Sequence, residues 1–118
     1  MTLSVSNLMV GVTDMDRSVA FYRDRVGLNV KFQIPGFTFL DAGSLTLVLS
    51  EPHAKACEDL VGATEIVFGV DGVSAEYTRL TEQGVKFANE PKAATETDWT
   101  ANFTDPDGHR LSLFGPLE

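Results

Sequence analysis

The residue types that most often carry out catalysis are scarce in this sequence and stand far apart. The 118 residues include one cysteine, Cys57, and two histidines, His53 and His109. Neither histidine stands at a spacing that suggests activation of the thiol, so Cys57 is interpreted as an inert small hydrophobe. Both histidines fall in segments predicted to be connectors or turns and are interpreted as surface residues. A single cysteine also excludes an intrachain disulfide and a thiolate metal cluster.

Glu65 and Trp99 are the remaining candidates for binding or chemistry. Glu65 shares one face of a predicted strand with Val67, so its carboxylate either lies in an apolar pocket or is hydrated at the pocket rim. In a pocket it could anchor an ammonium group or abstract a proton. Trp99 shares a strand face with Ala101 and Phe103, and it can belong to the core or stack on a planar or cationic ligand. Both alternatives stay open for each residue.

Composition and charge limit the function classes. An apolar content of 43% with 22% charged residues is typical of a globular domain. The formal net charge of −8 argues against a nucleic-acid-binding surface, which needs clustered lysine and arginine. No apolar run approaches membrane-spanning length, and no signal-peptide pattern opens the chain. We therefore expect a cytoplasmic protein that binds neither nucleic acid nor membrane.

The clearest structural signal is the segment FTDPDGHRLSLF at residues 103–114. Pro106 and Gly108 favour a tight turn between two segments that alternate apolar and polar residues. On the returning strand Leu111 points to one face and Ser112 to the other. The segment predicts a β-hairpin with one core face.

The two halves of the sequence follow the same order of elements. In the first half a strand leads to an amphipathic helix that begins after Asp14 and ends at Gly27, and three strands follow. A shift of 58 residues carries Gly11 to Gly69 and Tyr22 to Leu80, so strand and helix keep register in the second half. The predicted helices cover Asp14–Arg25 and Val73–Gln83, the predicted strands include Asn7–Val12, Val30–Ile34, Phe37–Asp41 and Leu45–Leu49, and one helical turn is expected around Ala54–Leu60.

Two stretches of the sequence resemble the vicinal-oxygen-chelate superfamily, which includes type I glyoxalases, extradiol dioxygenases, fosfomycin-resistance enzymes and bleomycin-resistance proteins. They are VxD followed by RSVAFYRDRVGL at Val12–Leu28, and TDPDGHRLSLF at Thr104–Phe114. The resemblance implies an α+β fold in which two βαβββ modules form a U-shaped mixed sheet around a cavity, with the helices outside. We expect one glyoxalase-like domain over residues 1–118, with module one at about 5–51, a connector at 52–63 and module two at about 64–116. Homodimers are common among small members, so a homodimer is expected.

The resemblance also implies which side chains face the cavity. Metal-dependent members place ligands at four positions, which correspond here to Asn7, Thr46 or Val48, Glu65 and Ser112. Only Glu65 is a good anionic ligand, so we expect no metal and no other cofactor. The register of the fourth strand is open between Thr46 and Val48. The predicted ligand-binding residues are Asn7, Met9, Phe39, Thr46, Val48, Glu65, Val67, Trp99 and Ser112, although a core role is also open for Phe39.

Two functions follow from these observations. The first is a metal-independent small-molecule-binding protein similar to bleomycin-resistance proteins, which would hold an aromatic or cationic ligand, as in antibiotic resistance. The second is a glyoxalase-like or dioxygenase-like enzyme, a lyase, isomerase or oxygenase, in which Glu65 is the catalytic base or the one retained ligand. The missing metal donors, the acidic charge and Trp99 favour binding.

Overall fold

The computed structural model describes residues 5–56 and 64–118. The chain divides into two compact units, Met1–Val61 and Gly62–Glu118. Each unit contains one strand, then a helical segment, then three strands, which is the predicted βαβββ order.

The elements of the first unit are strands β1 to β4 with helices α1 and α2. They cover β1 Asn7–Gly11, α1 Met15–Val19 with a π-helical continuation Ala20–Val26, β2 Asn29–Ile34, β3 Phe37–Asp41, β4 Thr46–Ser50 and α2 Glu51–Ala56. The second unit contains β5 Glu65–Gly69, α3 Val73–Glu82, β6 Lys92–Ala93, β7 Trp99–Thr104 and β8 Arg110–Gly115.

Each unit builds one mixed four-stranded sheet. The strand order is β1-β4-β3-β2 in the first sheet and β5-β8-β7-β6 in the second. The first strand of each unit pairs in parallel with the last, and the other pairings are antiparallel. The α+β class with mixed sheets, expected from the sequence, is confirmed.

The first helical segment begins and ends where the sequence predicts, but its second half is a π-helix. The side chain of Asp14 accepts a hydrogen bond from the backbone N–H of Arg17, which caps the first turn. Gly27 adopts a φ of 99°, and its N–H donates to the carbonyl of Tyr22, which is the wider hydrogen-bond spacing of a π-turn. Phe21 and Tyr22 are both buried and meet edge to face, so the wider turn still presents the predicted apolar stripe to the core.

Helix α2 begins three residues earlier than the predicted turn and packs closely against β1. A Cβ added to Gly11 would lie 2.7 Å from the Cα of Ala54, so only glycine allows this approach. The rest of the predicted helical turn, together with Cys57, lies outside the described residues.

The chain terminus of the second unit caps α3. The backbone N–H of Val73 donates to the carbonyl of Pro116 at 2.7 Å, and that of Ser74 donates to the carbonyl of Leu117. These bonds satisfy donors that the first turn of a helix leaves without intrahelical partners. Val73 and Leu80 are the buried residues of α3.

The predicted hairpin is formed by β7 and β8, with a turn organised by Asp105. This carboxylate is 4% exposed and accepts hydrogen bonds from the backbone N–H groups of Asp107 at 3.0 Å and His109 at 2.8 Å. Gly108 adopts the positive φ of 89° that the turn requires.

The core of each unit lies between the sheet and its longer helical segment. In the first unit the hydroxyl of Thr38 donates to Sδ of Met15 at 3.2 Å, which places α1 over the face that also carries Leu40. In the second unit the ring of Phe87 packs between Tyr77 of α3 and Phe103 of β7. Among the described residues, no helix is long and apolar enough to span a membrane.

Candidate functional site

The face of the first sheet opposite α1 carries most of the predicted binding residues of that unit. Asn7 lies opposite Thr46, and Met9 lies opposite Val48, in the parallel pairing of β1 with β4. Phe39 lies opposite Val48 in the pairing of β3 with β4. Since residues two apart share a face, Thr46 and Val48 both belong to this surface, which we call the first open face.

A β-bulge in β2 adds further aromatic and aliphatic side chains to the first open face. Val30 pairs with Leu40 and Phe32 pairs with Phe39, so one extra residue, Lys31, stands between the two pairs. The bulge shifts the alternation, because Leu40 and Phe39 point to opposite sides of their strand. Phe32 therefore joins Phe39, and the two rings stack with centroids 4.3 Å apart and planes inclined by 17°.

Exposure separates the side chains that a ligand can reach from those that form the floor. Met9 is 44% exposed, Phe32 is 54% exposed and Ile34 is 50% exposed. Thr46 and Val48, on the central strand β4, are 9% and 1% exposed. The accessible part of the first open face is thus apolar and partly aromatic.

Lys31 places a positive charge at the edge of this apolar surface. Its Nζ donates a 2.8 Å hydrogen bond to Oγ1 of Thr46. Asp41 lies opposite Thr46 on β3, but its carboxylate accepts a 3.0 Å bond from the backbone N–H of Gly43. The hydroxyl of Thr46 is therefore engaged by an ammonium group.

The second sheet has a corresponding surface, the second open face, that carries the predicted residues of the second unit. Glu65 and Val67 stand two residues apart on β5 and therefore share a face. Val67 lies opposite Ser112 of β8. Asn102 of β7 also lies opposite Ser112, and its Nδ2 donates a 3.3 Å hydrogen bond to Oε2 of Glu65. Glu65 is exposed, Val67 is 56% exposed and Ser112 is 3% exposed, so Ser112 forms floor and the other two are accessible.

Trp99 lies on the other side of the second sheet from Ser112. Its strand alternates so that Trp99, Ala101 and Phe103 share a face, and Asn102 is the residue opposite Ser112. Ala101 and Phe103 are buried, with Phe103 packed toward α3. The register thus separates Trp99 from Glu65 and Val67, and its place among the ligand-binding residues stays a prediction.

Four residues of the open faces were not predicted from the sequence: Lys31, Phe32, Ile34 and Asn102. Val30, Phe32 and Ile34 alternate perfectly, which hides the bulge at Lys31 because no glycine or proline marks it. Asn102, in contrast, was detectable, since strict alternation from Trp99 places it on the face of Ser112 once the hairpin register is known.

The four positions that hold metal in other members do not fit a metal ion here. Asn7 supplies an amide and Ser112 a buried hydroxyl, and the position on β4 is either the hydroxyl of Thr46, which already accepts from Lys31, or the apolar side chain of Val48. An ammonium group bonded to a would-be ligand repels a divalent cation. Glu65 adds one carboxylate, and no group of three or more His, Cys, Asp or Glu that could hold a metal is found in the described part of the chain. This donor set is too weak for a resident ion.

Comparisons with known proteins agree with this architecture. The chain is 26% identical over 113 residues to the metallothiol transferase FosB of Lysinibacillus sphaericus, covering 93% of this chain and 80% of the relative. It is 30% identical over 116 residues to the uncharacterized protein YurT of Bacillus subtilis, covering 86% and 91%. The crystal structure of TnmS3, an antibiotic binding protein from Streptomyces sp. CB03234, superposes with a TM-score of 0.83 at 28% identity and covers 98% of both chains.

The family comparison is more general and covers nearly the whole sequence. The model of the Glyoxalase/Bleomycin resistance protein/Dioxygenase superfamily matches residues 4–113. The resemblance expected from the helix and hairpin motifs is confirmed. The chain therefore belongs to the Glyoxalase/Bleomycin resistance protein/Dioxygenase superfamily.

Proposed function

We propose that this protein binds an aromatic or cationic small molecule on its open faces without a metal ion. The observation that carries the proposal is the stacked pair of Phe32 and Phe39, which shares its sheet face with Ile34 and, on the far side of β4, with Met9. Three members of this apolar group, Met9, Phe32 and Ile34, are about half exposed. Exposed apolar side chains that lie together are costly in water and commonly mark binding surfaces. A planar ligand would continue the stack that the two rings begin.

The aromatic pair favours a planar ligand for a geometric reason. The two rings lie nearly parallel, and Phe32 keeps more than half of its surface open. Aromatic stacking adds about 0.5–1.5 kcal/mol beyond the burial of area. Met9 lies on the same face, separated from Phe39 by Val48, and its flexible side chain can adapt to the outline of the bound molecule.

Glu65 supports the cationic part of the proposal. Its carboxylate stands beside exposed Val67 and is oriented by the hydrogen bond from Asn102. An ammonium group of the ligand could pair with the carboxylate of Glu65, while the apolar part of the ligand contacts Val67. Ser112 would form the floor of the second open face, and Asn7, Thr46 and Val48 would shape the floor or rim of a site on the first open face.

The relatives support two classes of function. TnmS3 is an antibiotic binding protein, which favours sequestration of a small molecule. FosB is a metallothiol transferase, which favours the alternative of a glyoxalase-like or dioxygenase-like enzyme with Glu65 as its base. The donor set argues for the first class, because Asn7, Ser112 and either Thr46 or Val48 leave Glu65 as the one good anionic ligand among the four positions.

The proposal includes a homodimer located in the cytoplasm. Small superfamily members commonly build their cavities from paired modules, and the open faces here carry exposed apolar residues that pairing would cover. The single cysteine fits a reducing compartment. Sedimentation at several concentrations tests the dimer, and a monomer at every concentration would remove it.

The proposed function is tested by titrating chelator-treated protein with 1-naphthamide, a neutral planar probe, and recording backbone amide shifts. The expected result is saturable binding with the largest shifts at β2 and β3. Addition of zinc, nickel or manganese should leave the affinity unchanged. Binding that requires one of these ions would instead support the enzyme alternative.

A further inference from the structure

The first open face holds one positive charge in a defined position, the ammonium group of Lys31. Lys31 Nζ donates a 2.8 Å hydrogen bond to Oγ1 of Thr46. Thr46 is 9% exposed and belongs to the central strand β4, so its hydroxyl is fixed by the sheet. The bond therefore holds the ammonium above the sheet.

The ammonium group of Lys31 has more N–H donors than its bond to Thr46 uses. It carries three N–H donors, and Thr46 takes one of them. Within the described part of the chain Lys31 forms no ion pair. Asp41, the acidic residue nearest in register, accepts from the N–H of Gly43 through Oδ1, and in the described residues it makes no ion pair with Lys31. Two donors of Lys31 thus remain available to a ligand.

The bulge in β2 places this charge directly beside the aromatic pair. Lys31 is the extra residue of the bulge, and Phe32, the next residue, turns onto the first open face to stack on Phe39. Bulges commonly re-aim a side chain next to a functional site. Here the bulge places a cation, Lys31, and a planar apolar ring, Phe32, at two consecutive residues of the same sheet face.

We infer that Lys31 anchors an anionic group of the ligand, which makes the ligand an aromatic acid. The ring of that molecule lies against Phe32, and its carboxylate accepts hydrogen bonds from Lys31 Nζ. This inference rests on the proposed function, because it assigns the ligand class of the same surface.

The overall charge of the protein opposes the binding of an anion. A net charge of −8 repels anions at long range. A preference for a carboxylate over its neutral amide must therefore come from a local positive group. Such a preference should vanish when that one group is neutralised.

The test compares 1-naphthoate with 1-naphthamide, two probes of the same ring and nearly the same shape, by titration followed with amide shifts. Wild-type protein should bind naphthoate about two- to fivefold more tightly, the scale of a charge pair at an exposed side chain. Lys31→Gln keeps a donor for Thr46 but removes the charge, so both probes should then bind equally. Lys31→Arg should retain the preference, and Lys86→Gln, at an exposed lysine of the second unit, should behave as wild type.

The outcomes separate this inference from the proposed function. Equal affinities of the two probes for wild-type protein would overturn the role of Lys31 while leaving aromatic binding intact. A preference that survives Lys31→Gln would also overturn it. Failure of both probes to bind would contradict the proposed function and the inference together.

Discussion

The ring of Phe32 lies 4.3 Å from the ring of Phe39, centroid to centroid, and nearly parallel to it. This contact depends on the bulge at Lys31, since without the extra residue Phe32 would share the side of Val30 and face the core. One added residue in an edge strand thus creates the apolar surface on which the proposed function depends.

A methyl group at Gly11 should destabilise the protein, while the same change at the matching position of the second unit should not. A Cβ at Gly11 would lie 2.7 Å from the Cα of Ala54, whereas a Cβ at Gly69 would meet nothing within 4 Å. Gly11→Ala is expected to lower the free energy of unfolding by about 1–3 kcal/mol through overpacking of β1 against α2. Urea denaturation of both variants measures the difference, and equal midpoints would show that α2 does not pack as described.

Loss of the turn aspartate Asp105, between β7 and β8, should lower the stability of the fold more than loss of the turn aspartate Asp41 in the first unit. Asp105 is buried and accepts two backbone hydrogen bonds, so Asp105→Ala leaves two donors without their acceptor and should cost about 2–3 kcal/mol. Asp41 is exposed and accepts from Gly43 alone in its turn, so Asp41→Ala should cost about 0.5–1 kcal/mol. Thermal melts rank the two variants, and the reverse order would contradict the turn geometry.

The fold could be predicted from the sequence because its signals are local and repeated. Asp14 caps a helix and Gly27 ends it through ordinary backbone chemistry. The hairpin turn with Gly108 has the same local character. The π-helical half of the first helix was not predictable, since the apolar stripe through Tyr22 fits either helix type.

The candidate site could be predicted only where alternation runs unbroken. On β1 and β5 it placed Met9 and Val67 on the open faces, and both are about half exposed. On β2 a bulge without a sequence signal concealed Phe32 and Lys31. Burial of floor residues such as Ser112 depends on neighbouring strands, which periodicity within one strand does not report.

Removal of the charge at Glu65 should weaken a cationic probe slightly and leave the fold intact. Glu65 is exposed and accepts a hydrogen bond from Asn102, so solvent screens its charge. Glu65→Gln should therefore weaken the binding of 1-naphthylmethylammonium by about 0.5–1 kcal/mol. Glu82→Gln, at an exposed residue of α3, is the matched control. Equal affinities of wild type and Glu65→Gln would make Glu65 a hydrated rim residue, and a large fall in apo stability would show a structural role.

Purified protein should carry no stoichiometric metal. The donors at the four positions, which are Asn7, Thr46 or Val48, Glu65 and Ser112, form a weak set for a divalent ion. Elemental analysis after dialysis should find zinc, iron, nickel and manganese well below one ion per chain, and melts with added metal should show no rise in Tm. An ion that survives dialysis and shifts the amide signal of Glu65 would contradict this expectation.

Whether the stacked pair of Phe32 and Phe39 forms the binding surface can be measured by the affinity of 1-naphthamide for wild type, Phe32→Ala and Leu117→Ala. Leu117 is a similarly exposed apolar residue, 41% against 54% for Phe32, but it lies outside both open faces. Phe32→Ala should weaken binding by about 1–2 kcal/mol, the scale of one lost stacking partner with its buried area. Leu117→Ala should bind 1-naphthamide as wild type does. An unchanged affinity in Phe32→Ala would show that the aromatic pair is not the binding surface.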